Sequence, residues 1–261
     1  MKAAILCGGR GTRLREVSDL IPKPMVQIGD KPILWHIMKT YAAHGINEFV
    51  LLLGYKGDVI REFFLNFAAH TTDVTIDLSR TDGGRLTFHG MPSEPWKVTL
   101  VDTGEHAMTG ARLRRARRYL DDADLFCATY GDGVGNVDLS ALLDFHRGHG
   151  KLASVTGVLP PGRFGELSVQ DGRVSKFSEK PQVSGGRING GFFVFHRDVL
   201  RDYLDDREEL VLEREPMERL AAAGELMMYR HDGFWQPMDT PREYQSLNES
   251  WATGHAPWKI W

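Results

Sequence analysis

Ala3-Ala4-Ile5-Leu6-Cys7-Gly8-Gly9-Arg10-Gly11-Thr12-Arg13-Leu14 opens the chain and decides how the rest is read. An unbroken apolar run of strand length that turns directly into glycines marks a buried parallel strand ending in a ligand-binding turn. Glycines there let backbone N–H groups approach an oxyanion, and a helix starting after them adds a favourable dipole. Glycine-rich turns also serve tight packing alone, so the loop by itself assigns no ligand. It is not a dinucleotide fingerprint, because Leu14 stands where G-x-G-x-x-G needs its third glycine. Nor is it a Walker loop, since no Gly-Lys-Ser/Thr follows.

Outward from this turn, apolar strand-like runs alternate with helical patterns. Residues 49–53, 98–101, 125–130 and 153–158 read as strands, and 32–44, 57–67, 109–120, 140–149 and 242–251 as helices. Ile33, Leu34, Ile37 and Met38 form one apolar stripe of the first of these helices. The alternation predicts an α/β fold, a doubly wound and mostly parallel sheet covered on both faces. Residues 72–90, with the turn Asp82-Gly83-Gly84, and the mixed stretch 160–221 predict a smaller, inserted antiparallel lobe. No linker divides the chain, so residues 1–261 are expected to form a single domain.

The chain's 261 residues, 42% of them hydrophobic and 26% charged, are enough to bury a real core. A formal net charge of -3 gives no basic excess for nucleic acid or an anionic membrane surface. Two cysteines, Cys7 and Cys127, each in an apolar run, predict buried free thiols rather than a disulfide framework or zinc site. With no signal-type h-region and no bilayer-length apolar run, the expected location is the cytoplasm.

Four further features carry chemistry. Arg13 beside the loop and Lys23, held between Pro22 and Pro24, present two cations to a phosphate-sized turn. Asp132 ends an apolar strand between Gly131 and Gly133, and Asp239 follows Trp235-Gln236-Pro237-Met238. Two strand-end carboxylates from distant segments make a Mg²⁺ site with phosphate oxygens and water, provided their strands are neighbours. Taken singly, each is an ordinary turn aspartate. Glu179-Lys180-Pro181 supplies another cation, and Asn189-Gly190-Gly191 an amide with open backbone beside it, or else a plain hairpin turn.

The loop followed by Lys23-Pro24-Met25 resembles the signature of the sugar-1-phosphate nucleotidyltransferases. The resemblance is closest to the glucose-1-phosphate cytidylyltransferase branch of that family. It is carried by Lys31-Pro32-Ile33-Leu34-Trp35-His36-Ile37-Met38, Tyr130-Gly131-Asp132-Gly133-Val134 and Pro160-Pro161-Gly162-Arg163-Phe164-Gly165. Asn189-Gly190-Gly191-Phe192-Phe193-Val194, Gly233-Phe234-Trp235-Gln236-Pro237-Met238-Asp239-Thr240 and Ala256-Pro257-Trp258-Lys259 extend it to nearly the full length. The chain departs from many members in reading Arg15-Glu16-Val17 where a proline usually follows the leucine.

The resemblance implies a Rossmann-like core and particular roles. Leu6, Gly8, Gly9, Gly11 and Thr12 would line the nucleotide, Arg13 and Lys23 would grip its triphosphate, and Asp132 with Asp239 would hold Mg²⁺. Thr103, Gly104, Thr109, Gly110 and Arg112 would lie near the base. Lys180 would bind the sugar phosphate, with Gly165, Glu179, Asn189 and Gly190 around the hexose. Arg13, Lys23 and Asp132 would be the catalytic group, CTP and glucose 1-phosphate the substrates, and the chain a homo-oligomer, with hexamers among known relatives.

The expected reaction is in-line attack of a sugar 1-phosphate oxygen on the α-phosphorus of CTP, releasing pyrophosphate. Two alternatives stay open on the residues alone. One is the same chemistry with UTP or dTTP. The other is a non-catalytic nucleotide-sugar binding or regulatory protein, which joint retention of Arg13, Lys23, Asp132, Lys180 and Asp239 disfavours.

Overall fold

Period-two alternation in the opening run sorts its side chains to two faces, and both faces are covered. Ala3 and Ile5 join one buried cluster with Ile33, Ile37, Phe49 and Leu51, while Ala4 and Leu6 join another with Val50, Leu52, Leu113 and Phe193. The computed structural model describes residues 1–9, 21–79, 85–90, 94–160, 166–170, 173–178 and 186–261, with 166–170 and 173–178 as backbone only.

The central sheet has seven strands, β1 (Lys2–Leu6), β2 (Glu48–Leu53), β3 (Lys97–Asp102), β4 (Leu125–Tyr130), β5 (Ala153–Val158), β6 (Ile188–His196) and β7 (Leu226–His231). Their spatial order is β7-β5-β6-β4-β1-β2-β3. All run parallel except β6, which is antiparallel to both β4 and β5. The chain moves outward from β1 through β2 to β3, then returns to place β4 on the other side of β1. Connections leave in opposite directions at the β1–β4 boundary, so a crevice opens beyond the carboxyl ends of those two strands.

Antiparallel pieces stand off this sheet. Asp73–Asp77 pairs with Arg85–His89, and Glu166–Gln170 with Arg173–Ser178. The turn 82–84 lies outside the described residues. A third ribbon, Trp235–Pro237 with Gly133–Gly135, sits at the crevice itself.

Two helices expected from pattern are shorter than their apolar periodicity. The first ends at Leu65, where the Asn66 side-chain amide donates back to the Glu62 carbonyl (3.0 Å), and a separate helix runs Phe67–Thr71. The Arg-rich helix spans Thr109–Arg115 and tightens into a 3₁₀ turn at Arg117–Tyr119. Its arginines are committed to tertiary partners, Arg114 to the Leu200 carbonyl and Arg115 to Asp206 and the Thr103 carbonyl. Two short helices, Asp198–Asp202 and Glu215–Ala222, fall in the stretch the sequence pattern left mixed.

The C-terminal tryptophans lock the last segment onto the helix Ile33–Ala43. Trp258 is fully buried, stacks on Phe234 and Trp251, and donates its indole N–H to His36 Nδ1 (3.4 Å). His36 Nε2 lies 3.0 Å from the Ile28 carbonyl, which fixes the neutral Nε2–H tautomer. Burial holds this imidazole down at about 4.

Candidate active site

The crevice between β1 and β4 holds a cavity of about 310 Å³, the lower end of the range for small-molecule sites. Leu6, Gly8, Gly9, Lys23, Thr109, Arg112 and Asp132, all expected from sequence, line it together with Asp239.

Lys23 enters on a 3₁₀ turn, Lys23–Met25, preceded by Pro22 in extended conformation, so proline stiffening sets its direction. Asp132 follows β4 and leads into Gly133–Gly135. In the ribbon, Pro237 pairs with Gly133, and the Met238 N–H donates to the Asp132 carbonyl at 2.8 Å. That pairing brings Asp239 alongside Asp132, the condition the sequence left open. Asp239 also immediately precedes a capping box: Glu243 accepts from the N–H groups of Asp239 (2.8 Å) and Thr240 (2.9 Å), and Thr240 caps Glu243 in return. Thr240-Pro241-Arg242-Glu243 is the sequence signature of that start, and the helix accordingly begins at Pro241, one residue before the expected 242.

The two carboxylates meet at one nitrogen. Lys23 Nζ lies 2.7 Å from Asp132 Oδ2 and 2.5 Å from Asp239 Oδ1. Burial opposes the lysine charge, but the field of Asp132 and hydrogen bonds to both aspartates outweigh it and hold the ammonium above its usual range. The donor set fits a hard cation. Two carboxylates converge on one cationic point at the floor of an open cavity, leaving further ligand positions to phosphate oxygens and water. Among the described residues no group of three or more His, Cys, Asp or Glu side chains could hold a metal unaided.

Arg112 braces the glycine turn from behind. Its guanidinium donates to the carbonyls of Gly8 (3.1 Å), Leu53 (3.0 Å), Gly104 (2.7 Å) and Glu105 (3.2 Å) and to the Thr103 hydroxyl (2.8 Å). A Cβ at Gly8 would lie 2.1 Å from Arg112 Cζ, so glycine is required there for this close approach. Thr103 donates to the Leu53 carbonyl and is buried, and Gly104 accepts from Arg112. Both therefore lie behind the cavity wall. Gly110 packs against Leu210 instead of lining the cavity.

Asn189 and Gly190 stand at the start of β6, beside the cavity wall. Asn189 Nδ2 donates to Tyr130 Oη (3.1 Å), and Trp235 donates to the Gly190 carbonyl (2.8 Å). Tyr130 lines the cavity, although the sequence assigns it only to a strand and to a stretch that carries the family resemblance, and Glu213, which accepts its hydroxyl, carries no sequence signal. Gly11, Thr12, Arg13, Gly165, Glu179 and Lys180 lie outside the described residues. Both cysteines are free and buried, as expected, and burial pushes both thiols up, Cys127 to about 12, so neither serves as a nucleophile. No helix among the described residues is long and apolar enough to cross a membrane.

The nucleotidyl transferase family model matches residues 2–250. The chain is 52% identical over its whole length, and the whole length of the relative, to the glucose-1-phosphate cytidylyltransferase of Salmonella typhi. It is 51% identical, again with full coverage of both chains, to that of Salmonella typhimurium. The crystal structure of HddC from Yersinia pseudotuberculosis superposes with a TM-score of 0.69 over 96% of this chain and 99% of that one, at 24% identity, a likeness of fold.

Proposed function

Since this chain belongs to the nucleotidyl transferase family, we propose that it transfers a cytidylyl group from CTP to α-D-glucose 1-phosphate, giving CDP-glucose and pyrophosphate for nucleotide-sugar biosynthesis. The observation that carries the reading is the cavity in which Lys23, Asp132 and Asp239 meet beside the Gly8-Gly9 backbone. Relatives with the cytidylyltransferase name match it end to end.

The sugar phosphate is already an anion and needs no general base. Its oxygen bonds to the α-phosphorus as the bond from that phosphorus to the bridging oxygen of the β-phosphate breaks, and pyrophosphate carries the electron pair away. Bringing two polyanions together makes cation placement the main catalytic task. Asp132 and Asp239 would hold Mg²⁺, which when bound neutralises charge on phosphate oxygens. Lys23, whose ammonium lies against both carboxylates, would stand beside the triphosphate as a second cation. Backbone N–H groups of the glycine turn orient the phosphates, and Arg112 holds that turn in place. Arg13, Glu179 and Lys180 complete the anion and sugar contacts by family resemblance.

The chain is further read as a homo-oligomer. The strand pair Asp73–Asp77 with Arg85–His89 is exposed on both strands and carries exposed Ile76, Leu86 and Phe88, an apolar face suited to cover by a second copy. Sedimentation of the purified chain measures this.

The test of the reaction is pyrophosphate release from glucose 1-phosphate with Mg²⁺ and each of CTP, UTP, dTTP, ATP and GTP. Release with CTP far above the rest is expected. Release with UTP or dTTP instead keeps the mechanism and overturns the base, because a pocket matched to one pyrimidine leaves a buried group unpaired with the other. Absence of release with any nucleotide and any sugar phosphate overturns the enzymatic reading.

A further inference from the structure

Thr109, which lines the site at the start of the Arg-rich helix, and Asn189, which stands beside it at the start of β6, are joined through Tyr130 and a half-buried carboxylate, Glu213. Glu213 comes from a segment remote in sequence and does not itself line the cavity of Lys23 and Asp132. Its two oxygens are divided. Oε2 accepts from the Thr109 hydroxyl at 2.7 Å and Oε1 accepts from the Tyr130 hydroxyl.

An ionised carboxylate only accepts, so both hydroxyl protons must point to Glu213. Each hydroxyl oxygen is then left to accept from a backbone or side-chain N–H. Thr109 Oγ1 accepts from the Leu212 N–H at 2.9 Å, and Tyr130 Oη accepts from Asn189 Nδ2 at 3.1 Å. Asn189 Oδ1 is occupied by the Gly191 N–H at 2.8 Å. These two contacts settle which end of the amide faces which way. Gly191, with φ of +77°, lets the Tyr130 ring pass where a Cβ would lie 2.3 Å from Cδ2.

We propose that Glu213 is a positioning residue: it sets the direction of a hydrogen-bond relay, Asn189 to Tyr130 to Glu213, so that Asn189 keeps its second N–H as a donor to a sugar hydroxyl. The sugar assignment rests on the function proposed above, while the direction of the relay does not. The ligand feature selected is a hydroxyl acting as acceptor on the hexose of the sugar 1-phosphate.

Glu213→Leu is the decisive variant, since at similar volume it removes both acceptors and with them the group that directs the Tyr130 hydroxyl proton. The expected result is a KM for glucose 1-phosphate about tenfold higher, with kcat and the KM for CTP within about twofold of wild type. In an Asn189→Ala background the same change should add nothing to that KM, because the relay has lost its last member. Equal losses for both substrates, or full additivity with Asn189→Ala, would overturn the proposal. A ligand-free readout separates it from the reaction. The Asn189 side-chain amide resonance, assigned by its loss in Asn189→Asp, should shift in Glu213→Leu. An unmoved resonance overturns the relay, whereas a moved resonance in a chain that releases no pyrophosphate supports the relay and rejects the function.

Discussion

Replacing Lys23 by methionine removes the ammonium shared by Asp132 and Asp239 while keeping most of the side-chain volume. The lysine side chain is 10% exposed, and its partners Asp132 and Asp239 are 37% and 24% exposed. Breaking a fully buried pair costs about 3–5 kcal/mol, but water reaches both carboxylates here, so a loss of about 2–3 kcal/mol is expected. For a chain of this size that is a fall of roughly 5–10 °C in melting temperature. The variant leaves two facing carboxylates with no countercharge from Lys23, so millimolar MgCl₂ should raise its melting temperature more than it raises that of wild type, where the ammonium competes for the same oxygens. The assay is thermal unfolding at low ionic strength, with and without MgCl₂, and with NaCl at matched ionic strength as the control for screening. Turnover should stay at least about a hundredfold down even where Mg²⁺ restores stability, a loss of about 2.7 kcal/mol in transition-state stabilisation. A variant as stable as wild type, or one rescued equally by NaCl, would refute the view of Lys23 as the countercharge of a cation site.

Three further outcomes follow from the same structure. His36 is fully buried and held near 4 against a usual 6.5, so the native state takes up its proton later than the unfolded chain. Its contribution is complete above pH 6.5 and lost as pH falls toward 4, about 3 kcal/mol in all, and His36→Gln should flatten that part of a denaturation-versus-pH curve. Arg112→Lys cannot span the four carbonyls its guanidinium holds; unpaired carbonyls should cost about 3 kcal/mol and displacement of the Gly8 turn should raise the nucleotide KM about tenfold, so an unchanged KM would remove the bracing role. Trp258→Ala should cost about 3–5 kcal/mol by chemical denaturation and also lower kcat in the folded fraction, because it removes the stack on Phe234, just before the ribbon that carries Asp239; an unaltered kcat would confine Trp258 to the core.

The sequence alone determined the buried strands and the residues beyond them that line the cavity. Local pattern marked 3–6, 49–53 and 125–130 as buried strands, because an apolar run covered on both faces has few other solutions, and glycines, prolines and charges beyond them marked Gly8, Lys23 and Asp132. Helix ends at Leu65 and Arg115 were not legible, since the Asn66 side-chain bond and the remote arginine partners found there leave no mark in periodicity. Only tertiary structure made two aspartates, 107 positions apart (239 − 132), into one site. The pairing of Pro237 with Gly133 is set by backbone hydrogen bonds that any residues can make, and it is braced from the far C-terminus by Trp258. Glu213 was invisible for the same reason. A glutamate in a polar segment reads as solvated surface until folding brings it to two hydroxyls whose protons must then point toward it.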